Sequence, residues 1–392
     1  MLRNILHIWY DEMMHVLHSS GLVIFCLLVP LAYPLLYAFV YTNETVREVP
    51  VALVDECHSS LSREFGRKVD ATSEVEVRYH CDLAQAQELM RREEVYAIMR
   101  IPSSFEHDLS RGEQTQVALY ADMRCMLYYK AALVAASLVS LDMNSHIKVE
   151  RYLHGTTDRQ DEVIAAPVTN EYVALYNPQS GVATFLIPAV LMLMIQQLLF
   201  LTIGTSMGLH RERNSGIGFP TADEAYRKPW QIVVGRTLFY LPVFLLIAVY
   251  MYAGVTDWFA LQRLADYTTF LRFVLPYVLA SIMMGITWSG LFHRSEDAML
   301  LFIFMSVPLL FLSGMSWPVA SEPWLWRYVS WIFPSTFGMH GYVRLMGTGA
   351  SLSQVAFEYR GLWIQCGLYF VTACLVYRHE FRRMLRLPRT AA

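Results

Sequence analysis

The sequence predicts an α-helical polytopic membrane protein with six transmembrane helices, a re-entrant segment, and an extracytoplasmic α/β domain between helices 1 and 2. Two observations predict this fold class. Only 17% of the 392 residues are charged and 55% are hydrophobic, whereas about a quarter of the residues in an average soluble domain are charged. The charges are also concentrated, because 36 of the 65 Asp, Glu, Lys and Arg residues lie between Thr42 and Asn177. This distribution indicates an integral membrane protein with one soluble domain.

Six stretches without a charged residue are long enough to cross a bilayer. A hydrocarbon core of about 30 Å needs roughly 17–25 apolar residues in a helix. The stretches are Gly21–Tyr41, Gly181–Leu209, Thr237–Thr256, Phe273–Phe292, Ala298–Ser321 and Gly361–Tyr377. A seventh apolar segment, Tyr328–Val343, is shorter and contains Pro334. We therefore predict that it is re-entrant or interfacial rather than spanning.

The basic residues of the loops predict the orientation. Residues 1–20, 210–236, 293–297 and 378–392 would share one side and carry 12 Lys and Arg residues, whereas the short loops opposite carry 5. The positive-inside rule places the richer side in the cytoplasm. Both termini are therefore predicted to be cytoplasmic and residues 42–177 to be extracytoplasmic.

The charged segment 42–177 alternates predicted strands and helices. The predicted strands are Val51–Val54, Val75–His80, Val95–Ile101 and Gln116–Tyr120, and a long amphipathic helix, Leu127–Leu153, follows the last. Strands that alternate with helices need crossover connections, so a small α/β domain is expected. The chain then divides into residues 1–41 (cytoplasmic N-terminus and first transmembrane helix), the domain at 42–177, and a five-helix transmembrane domain at 178–392.

Two cysteines of this domain each follow a predicted strand. If the strands that precede Cys57 and Cys81 are parallel neighbours, their ends lie about 5 Å apart, which is within the Cα range of disulfides. A Cys57–Cys81 disulfide and a pair of reduced thiols both remain open at this point.

No stretch of the sequence has the pattern of a nucleotide-binding or zinc-protease site. G-x-x-x-x-G-K-[ST], H-E-x-x-H and C-x-x-C are all absent. His15 and His18 share a helix face but have no third ligand nearby, so no metal site is predicted. The net charge of −3 gives no indication of a nucleic-acid partner. The chain is therefore not expected to be an enzyme, and any energy source must be a separate polypeptide.

Several local patterns together carry a resemblance to a known family. They are Val51–Asp55, Val95–Phe105, Tyr176-Asn177-Pro178, His210–Gly216, Gly235-Arg236, Leu312-Ser313-Gly314, Trp317-Pro318 and Phe333-Pro334-Ser335. In this order, and around one helix, a large external domain and five further helices, they resemble the membrane (permease) subunit of a type-2 ATP-binding-cassette exporter. The resemblance covers nearly the whole chain.

The resemblance implies an activity and a set of partners. The chain would be the transmembrane permease of an ATP-driven (ABC-2 type) exporter in the bacterial cytoplasmic (inner) membrane. ATP and Mg would be bound by a partner ABC ATPase subunit, with no cofactor on this chain. A second permease subunit would complete a homo- or heterodimer, and a periplasmic adaptor protein is a further partner that the resemblance leaves open.

The predicted cytoplasmic coupling loop, 210–229, is the candidate contact with that ATPase. Arg211, Glu212 and Arg213 directly follow the second span and supply charges for ion pairs with a partner. Positive-inside anchoring is the alternative explanation for the two arginines, but it does not explain Glu212.

Two glutamines near the centre of the second span have two interpretations. Gln196 and Gln197 would either line a substrate path or form hydrogen bonds between helices. The sequence does not decide between them.

Two other functions remain as alternatives. A membrane-anchored receptor or scaffold with an external binding domain would not need five further spans. An intramembrane enzyme usually concentrates acidic or histidine residues at the membrane edge. The candidates here, Asp257, Asp266, Glu296 and Asp297, are scattered along the sequence.

Overall fold

The computed structural model describes residues 1–41, 46–152, 182–214, 216–220, 224–315 and 322–385. The motifs at 176–178 and 317–318 lie outside the described residues. The chain forms two compact units. Unit 1 comprises Met1–Glu44 with Leu175–Ala392, and unit 2 comprises Thr45–Ala174.

Unit 1 consists of helices. In chain order they are α1 (Leu2–Leu17), α2 (Ser20–Val40), α7 (Val182–Arg213), α8 (Pro229–Trp258), α9 (Tyr267–Ser289), α10 (Ser295–Leu312), α11 (Trp324–Ser330), α12 (Pro334–Thr348) and α13 (Ala356–Met384). Both α2 and α8 contain one π-helical turn, at Ile24–Leu28 and Tyr250–Val255.

Six helices within the described residues are long and apolar enough to cross a membrane. Five of them, α2, α7, α8, α9 and α10, coincide with predicted spans. The sixth is α6 (Met126–Tyr152) of unit 2 and not α13, which contains the predicted span Gly361–Tyr377. Arg360 and Gln365 make the sequence of α13 less apolar. The spanning role of Gly361–Tyr377 stays a prediction.

Helix α7 is the centre of unit 1. Its side chains between Ile187 and Met207 are mostly buried, and it packs against α9, α10 and α12. A helix that is apolar on all sides is expected in such a position. Small residues allow close approach elsewhere in the unit. A Cβ atom at Gly338 or Gly341 of α12 would collide with the ring of Tyr277 or Phe273 on α9.

The predicted re-entrant segment is a pair of helices. Helix α11 is only seven residues long, and α12 begins at Pro334. Proline is favoured in the first turn of a helix because its missing N–H would be unpaired there anyway. The break expected at Pro334 is therefore present, and the position of this segment in a membrane stays a prediction.

Unit 2 contains a four-stranded sheet with the strand order β2-β1-β3-β4. Its elements are β1 (Val49–Asp55), α3 (Ser60–Asp70), β2 (Val75–His80), α4 (Leu83–Arg91), β3 (Ala97–Ile101), α5 (Phe105–Arg111), β4 (Ala118–Ala121) and α6. Strand β1 pairs in parallel with β2 and with β3, whereas β3 and β4 are antiparallel. The parallel pairs require the helical crossovers that the sequence predicted.

The helices of unit 2 cover both faces of the sheet. On one face, α3 and α6 pack on Val51 and Leu53. On the other face, Ala86 of α4 packs with Ala52 and Val54. The apolar side of α6 therefore belongs to the core of this unit, which explains why the helix reads as apolar in sequence.

Strand β2 contains a bulge at Arg78. Val51 pairs with Val77 and Ala52 with Tyr79, so Arg78 has no partner on β1. A bulge reverses the alternation of side chains along a strand. Val75 and Val77 accordingly contact the α3 and α6 cluster, whereas Tyr79 and Cys81 contact the α4 cluster.

Candidate functional site

Four buried charged side chains connect the ends of helices in unit 1. They are Glu12 of α1, Arg211 of α7, Arg236 of α8 and Glu380 of α13, and each is at most 5% exposed. We call these four residues the buried charge cluster. Because burial of a single charge is costly, such groups are expected in pairs.

Glu12 connects α1 to α7 and α8. Its Oε1 accepts hydrogen bonds from the hydroxyls of Ser206 at 2.8 Å and Tyr240 at 2.6 Å, and its Oε2 lies 3.1 Å from Nε of Arg236. Burial by itself raises the pKa of this carboxyl, but the charge of Arg236 and the neighbouring His210 outweigh burial and hold the pKa well below its usual range. Glu12 is therefore ionised.

Arg236 distributes its guanidinium over four parts of the chain besides its own helix. In addition to its pairing with Glu12, it donates from Nη1 to the hydroxyl of Tyr377 on α13 at 2.6 Å and from Nη2 to the carbonyl of Gly218 at 2.8 Å. Nη1 also contacts the sulfur of Met207. The rigid fork of a guanidinium suits such multiple contacts.

Arg211 pairs with Glu380 at the end of α13. Its Nε donates to Oε1 of Glu380 at 3.0 Å, and its Nη1 donates to the carbonyls of Ser289 and Phe292. Ser289 is the last residue of α9, where carbonyls lack partners within the helix. Arg211 therefore holds the ends of α7, α9 and α13 together.

The segment after α7 is attached to the same cluster through Gly218. Its N–H donates to Oε2 of Glu380 at 3.1 Å, and its carbonyl accepts from Arg236. A Cβ atom here would lie 2.6 Å from Cε of Met207 and 3.0 Å from Oε2 of Glu380. A larger residue here would therefore have to displace the end of the Met207 or Glu380 side chain.

Helix α1 reaches the cluster because Gly235 faces it. A Cβ atom at Gly235 would lie 2.7 Å from Cγ2 of Ile8. About two turns further along α1, the rings of His15 and His210 stack with their centroids 3.9 Å apart. Burial, followed by the neighbouring His210, lowers the pKa of His15 to about 4. His15 is therefore neutral near pH 7.

The three predicted coupling residues lie in two different environments. Arg211 is buried and pairs with Glu380, so it is not available to a partner. The prediction that Arg211 contacts the ATPase is therefore wrong. Glu212 and Arg213 are exposed. Glu212 also has a structural role, because its Oε1 accepts from the N–H of Ser295 at 2.8 Å and from its hydroxyl at 2.9 Å. It thereby caps the first turn of α10.

The two glutamines of α7 differ in their contacts. Gln196 is buried, and its Oε1 accepts a hydrogen bond from the backbone N–H of Ser335 in the first turn of α12. This contact favours the helix-packing interpretation for Gln196. Gln197 borders a small cavity of about 20 Å³ together with Trp288 and Phe333, and its Nε2 has no hydrogen-bond partner among the described residues.

Cys57 and Cys81 are both free thiols in the structure. Strands β1 and β2 are parallel neighbours as expected. The bulge at Arg78, however, directs Cys81 to the α4 side of the sheet, whereas Cys57 packs on the α3 side. The predicted bridge is therefore not formed.

The sequence alone did not point to Glu12 or Glu380, although they supply the two carboxylates of the buried charge cluster. A signal was present for Arg236, which follows Gly235 in a motif of the family resemblance and begins a predicted span. Glu380 lies among the basic residues Arg378, Arg382 and Arg383. A single acidic residue in such a run was a second signal, since orientation in the membrane does not require it.

The site offers buried ion pairs and hydrogen bonds. Among the described residues, no group of three or more His, Cys, Asp or Glu side chains is placed to hold a metal ion. What the arrangement does is attach the segment 211–220 to α8, α9 and α13.

The sequence of the chain matches a known family. A sequence model of a family described as ABC-2 family transporter protein matches residues 20–375. The match includes unit 2 as well as most of unit 1. No curated protein matches the chain.

Proposed function

Because this chain belongs to the ABC-2 family of transporter proteins, we propose that it is the permease subunit of an ATP-driven exporter. It moves a substrate out across the cytoplasmic membrane, with energy from a separate ABC ATPase subunit that binds ATP and Mg. A second permease subunit, identical or related, completes the pathway, and unit 2 lies outside the membrane, where an adaptor protein is a further candidate partner. Membership of a transporter family favours this function over a receptor or scaffold.

The coupling part of the proposal rests on one observation, the attachment of the segment 211–220 to α8 and α13. A permease that imports its energy needs a surface that contacts the ATPase and rigid connections from that surface to its helices. Arg211 and Gly218 provide the connections, since both bind Glu380 of α13. Gly218 also binds Arg236 of α8. A displacement of this segment is therefore carried to α8 and α13.

Exposed charges beside the buried charge cluster provide the surface. Glu212 and Arg213 are exposed within the segment, and Lys228 is exposed directly before α8. Within the described residues, the side chains of Arg213 and Lys228 have no ion-pair partner. We propose that these three residues contact the ATPase, with Arg211 as a positioning residue behind them.

The test is a charge reversal on this surface. The full chain is affinity-purified from its native membrane, and the co-purifying ATPase and its substrate-stimulated hydrolysis are measured. Loss of a charged contact at an interface typically costs about 2–5 kcal/mol when the contact is desolvated. The double variant R213E/K228E should therefore lose the ATPase or its stimulation.

Two controls separate coupling from structure. Arg360 is exposed near the other end of α13. The variant R360E therefore also replaces a positive charge by a negative one, but away from the proposed contact, and it should retain the ATPase. Glu212 needs a paired comparison, because E212Q keeps an acceptor for Ser295 and removes only the charge, whereas E212A removes both. Normal assembly and hydrolysis in R213E/K228E and in E212Q would contradict the proposed contact.

A further inference from the structure

A second feature of the molecule is a cleft in unit 2. It has a volume of about 930 Å³ and is open to solvent. Its walls come from the loop between β1 and α3, from α3 itself, and from the loop between β2 and α4. Small-molecule sites generally measure about 300–1,000 Å³.

The position of the cleft is one where open α/β sheets bind ligands. Strands β1 and β2 are parallel neighbours, and the helices that follow them, α3 and α4, cover opposite faces of the sheet. The two loops therefore diverge and leave a crevice beyond the carboxyl ends of the strands. Such a switch point is the usual ligand site in sheets of this kind.

The acidic side chains of the cleft already have partners within the chain. Asp55 accepts hydrogen bonds from two backbone N–H groups and from the hydroxyl of Ser62. Glu56 pairs through both carboxylate oxygens with Arg100. Asp82 caps α4, and Asp70 accepts from the N–H of Val77.

The basic side chains of the cleft have unused donors. Arg63 and Arg67 are one helical turn apart on α3, so they lie on one face, and both are exposed. Arg63 donates to a single carbonyl, that of His58. Within the described residues, the side chains of Arg67 and His80 have no hydrogen-bond or ion-pair partner. Arg63 and Arg67 therefore have N–H donors that no acceptor among the described residues uses.

The bulge in β2 places His80 on the α3 side of the sheet, and Arg63 and Arg67 line the same cleft. Leu53 of β1 pairs with His80 in register, and Leu53 faces the α3 side of the sheet. Without the extra residue at Arg78, His80 would face α4. Bulges that re-aim one side chain are frequent beside functional sites.

We propose that this cleft binds a small molecule through a carboxylate or phosphate group. Arg63, Arg67 and His80 donate to the anionic group. Leu53 and Leu83 of the lining contact the apolar part of the molecule. The site does not depend on the transport function proposed above, and it lies in a unit with a core of its own.

The test measures the charge selectivity of a thiol placed at the rim. Ser60, which lines the cleft and is exposed, is changed to Cys in the full chain with Cys57, Cys81 and Cys125 replaced by Ser. The rates of modification by an anionic sulfonate and a cationic trimethylammonium methanethiosulfonate reagent are compared. The anionic reagent should react faster, and R63Q/R67Q should lower the ratio of the rates roughly fivefold at low salt.

Protection by added anions identifies the ligand group. Citrate and inorganic pyrophosphate serve as the carboxylate and phosphate probes, and protection by either one supports the site and names the group. The matched control R91Q/R92Q removes two exposed positive charges from α4, outside the cleft, and should leave the ratio unchanged. An unchanged ratio in R63Q/R67Q, or no protection by either probe, would overturn the proposal.

Discussion

Glu12 and Arg236 form an ion pair in which neither side chain is more than 3% exposed, with Oε2 and Nε 3.1 Å apart. The pair joins α1, which precedes the first span, to the first turns of α8. A buried pair of this kind adds little net stability relative to apolar residues, but loss of one partner leaves an uncompensated charge. Its value to the protein is therefore positional, since it fixes the place of α1.

Removal of one partner of this pair should destabilise unit 1. R236M leaves Glu12 buried without its counter-charge, and we expect a loss of about 3–5 kcal/mol. The double variant E12Q/R236M should recover part of that loss, because the uncompensated charge is gone. Thermal unfolding of the full chain in detergent, followed by tryptophan fluorescence, measures both. Equal destabilisation by the single and double variants would exclude a charge effect.

The pair between Arg211 and Glu380 should control the segment after α7. E380Q removes the charge that Arg211 and Gly218 share, so the segment 211–220 should become accessible to limited proteolysis. The matched control is E358Q, which alters the more exposed pair of Glu358 with Arg344 and should leave the cleavage rate unchanged. Cleavage at the wild-type rate in E380Q would show that the remaining contacts are sufficient.

The stability of unit 1 should fall in mild acid because of His15. Its pKa of about 4 in the folded chain lies below the ordinary value of 6.5. Between these values the unfolded chain binds a proton that the folded chain does not bind, so stability is complete above pH 6.5 and declines as the pH falls toward 4. We expect a decline of up to about 2 kcal/mol, since the ring is partly exposed.

The variant H15Q should remove most of this dependence, and unfolding curves of the two proteins at several pH values provide the measurement. Glu12 adds to the decline only as the pH approaches the ordinary glutamate value of 4.5, where the unfolded chain begins to protonate this carboxyl, so the two proteins are compared above that pH. A pH profile of H15Q that coincides with that of the wild type would assign the effect to another group.

Two glycines of α12 offer a matched test of helix packing. G341A introduces a Cβ atom against the ring of Phe273, and overpacking of this kind typically costs about 1–3 kcal/mol. Gly347, on the same helix, has nothing within 4 Å of an added Cβ atom. G347A should therefore be neutral or stabilising by up to about 1 kcal/mol, as alanine is the better helix former. Thermal unfolding of both variants gives the comparison.

The orientation predicted from loop charge has a direct test. Single cysteines at Arg111 and Asn214, each in a background without the native cysteines of unit 2, are exposed to a membrane-impermeant reagent on intact cells. The cysteine at Arg111 should react and that at Asn214 should not. Reaction at Asn214 from outside would rule out the six-span arrangement.

The sequence by itself determined the features that depend on local pattern. The apolar stretches that became α2, α7, α8, α9 and α10 could be read directly, because helix length and side-chain polarity are properties of consecutive residues. The alternation of strands and helices in unit 2 was readable for the same reason. The break at Pro334 followed from the geometry of proline.

Only the tertiary structure decided which charges face inward. Arg211 and Glu212 are adjacent in sequence, yet one pairs with Glu380 in the interior and the other caps α10 at the surface. Their partners are far away along the chain, and no local pattern encodes such contacts. The bulge at Arg78 is similar, since a single extra residue placed Cys57 and Cys81 on opposite sides of the sheet and His80 on the α3 side. The composition of the chain thus fixes its class, while the pairing of distant helices and strands fixes its sites.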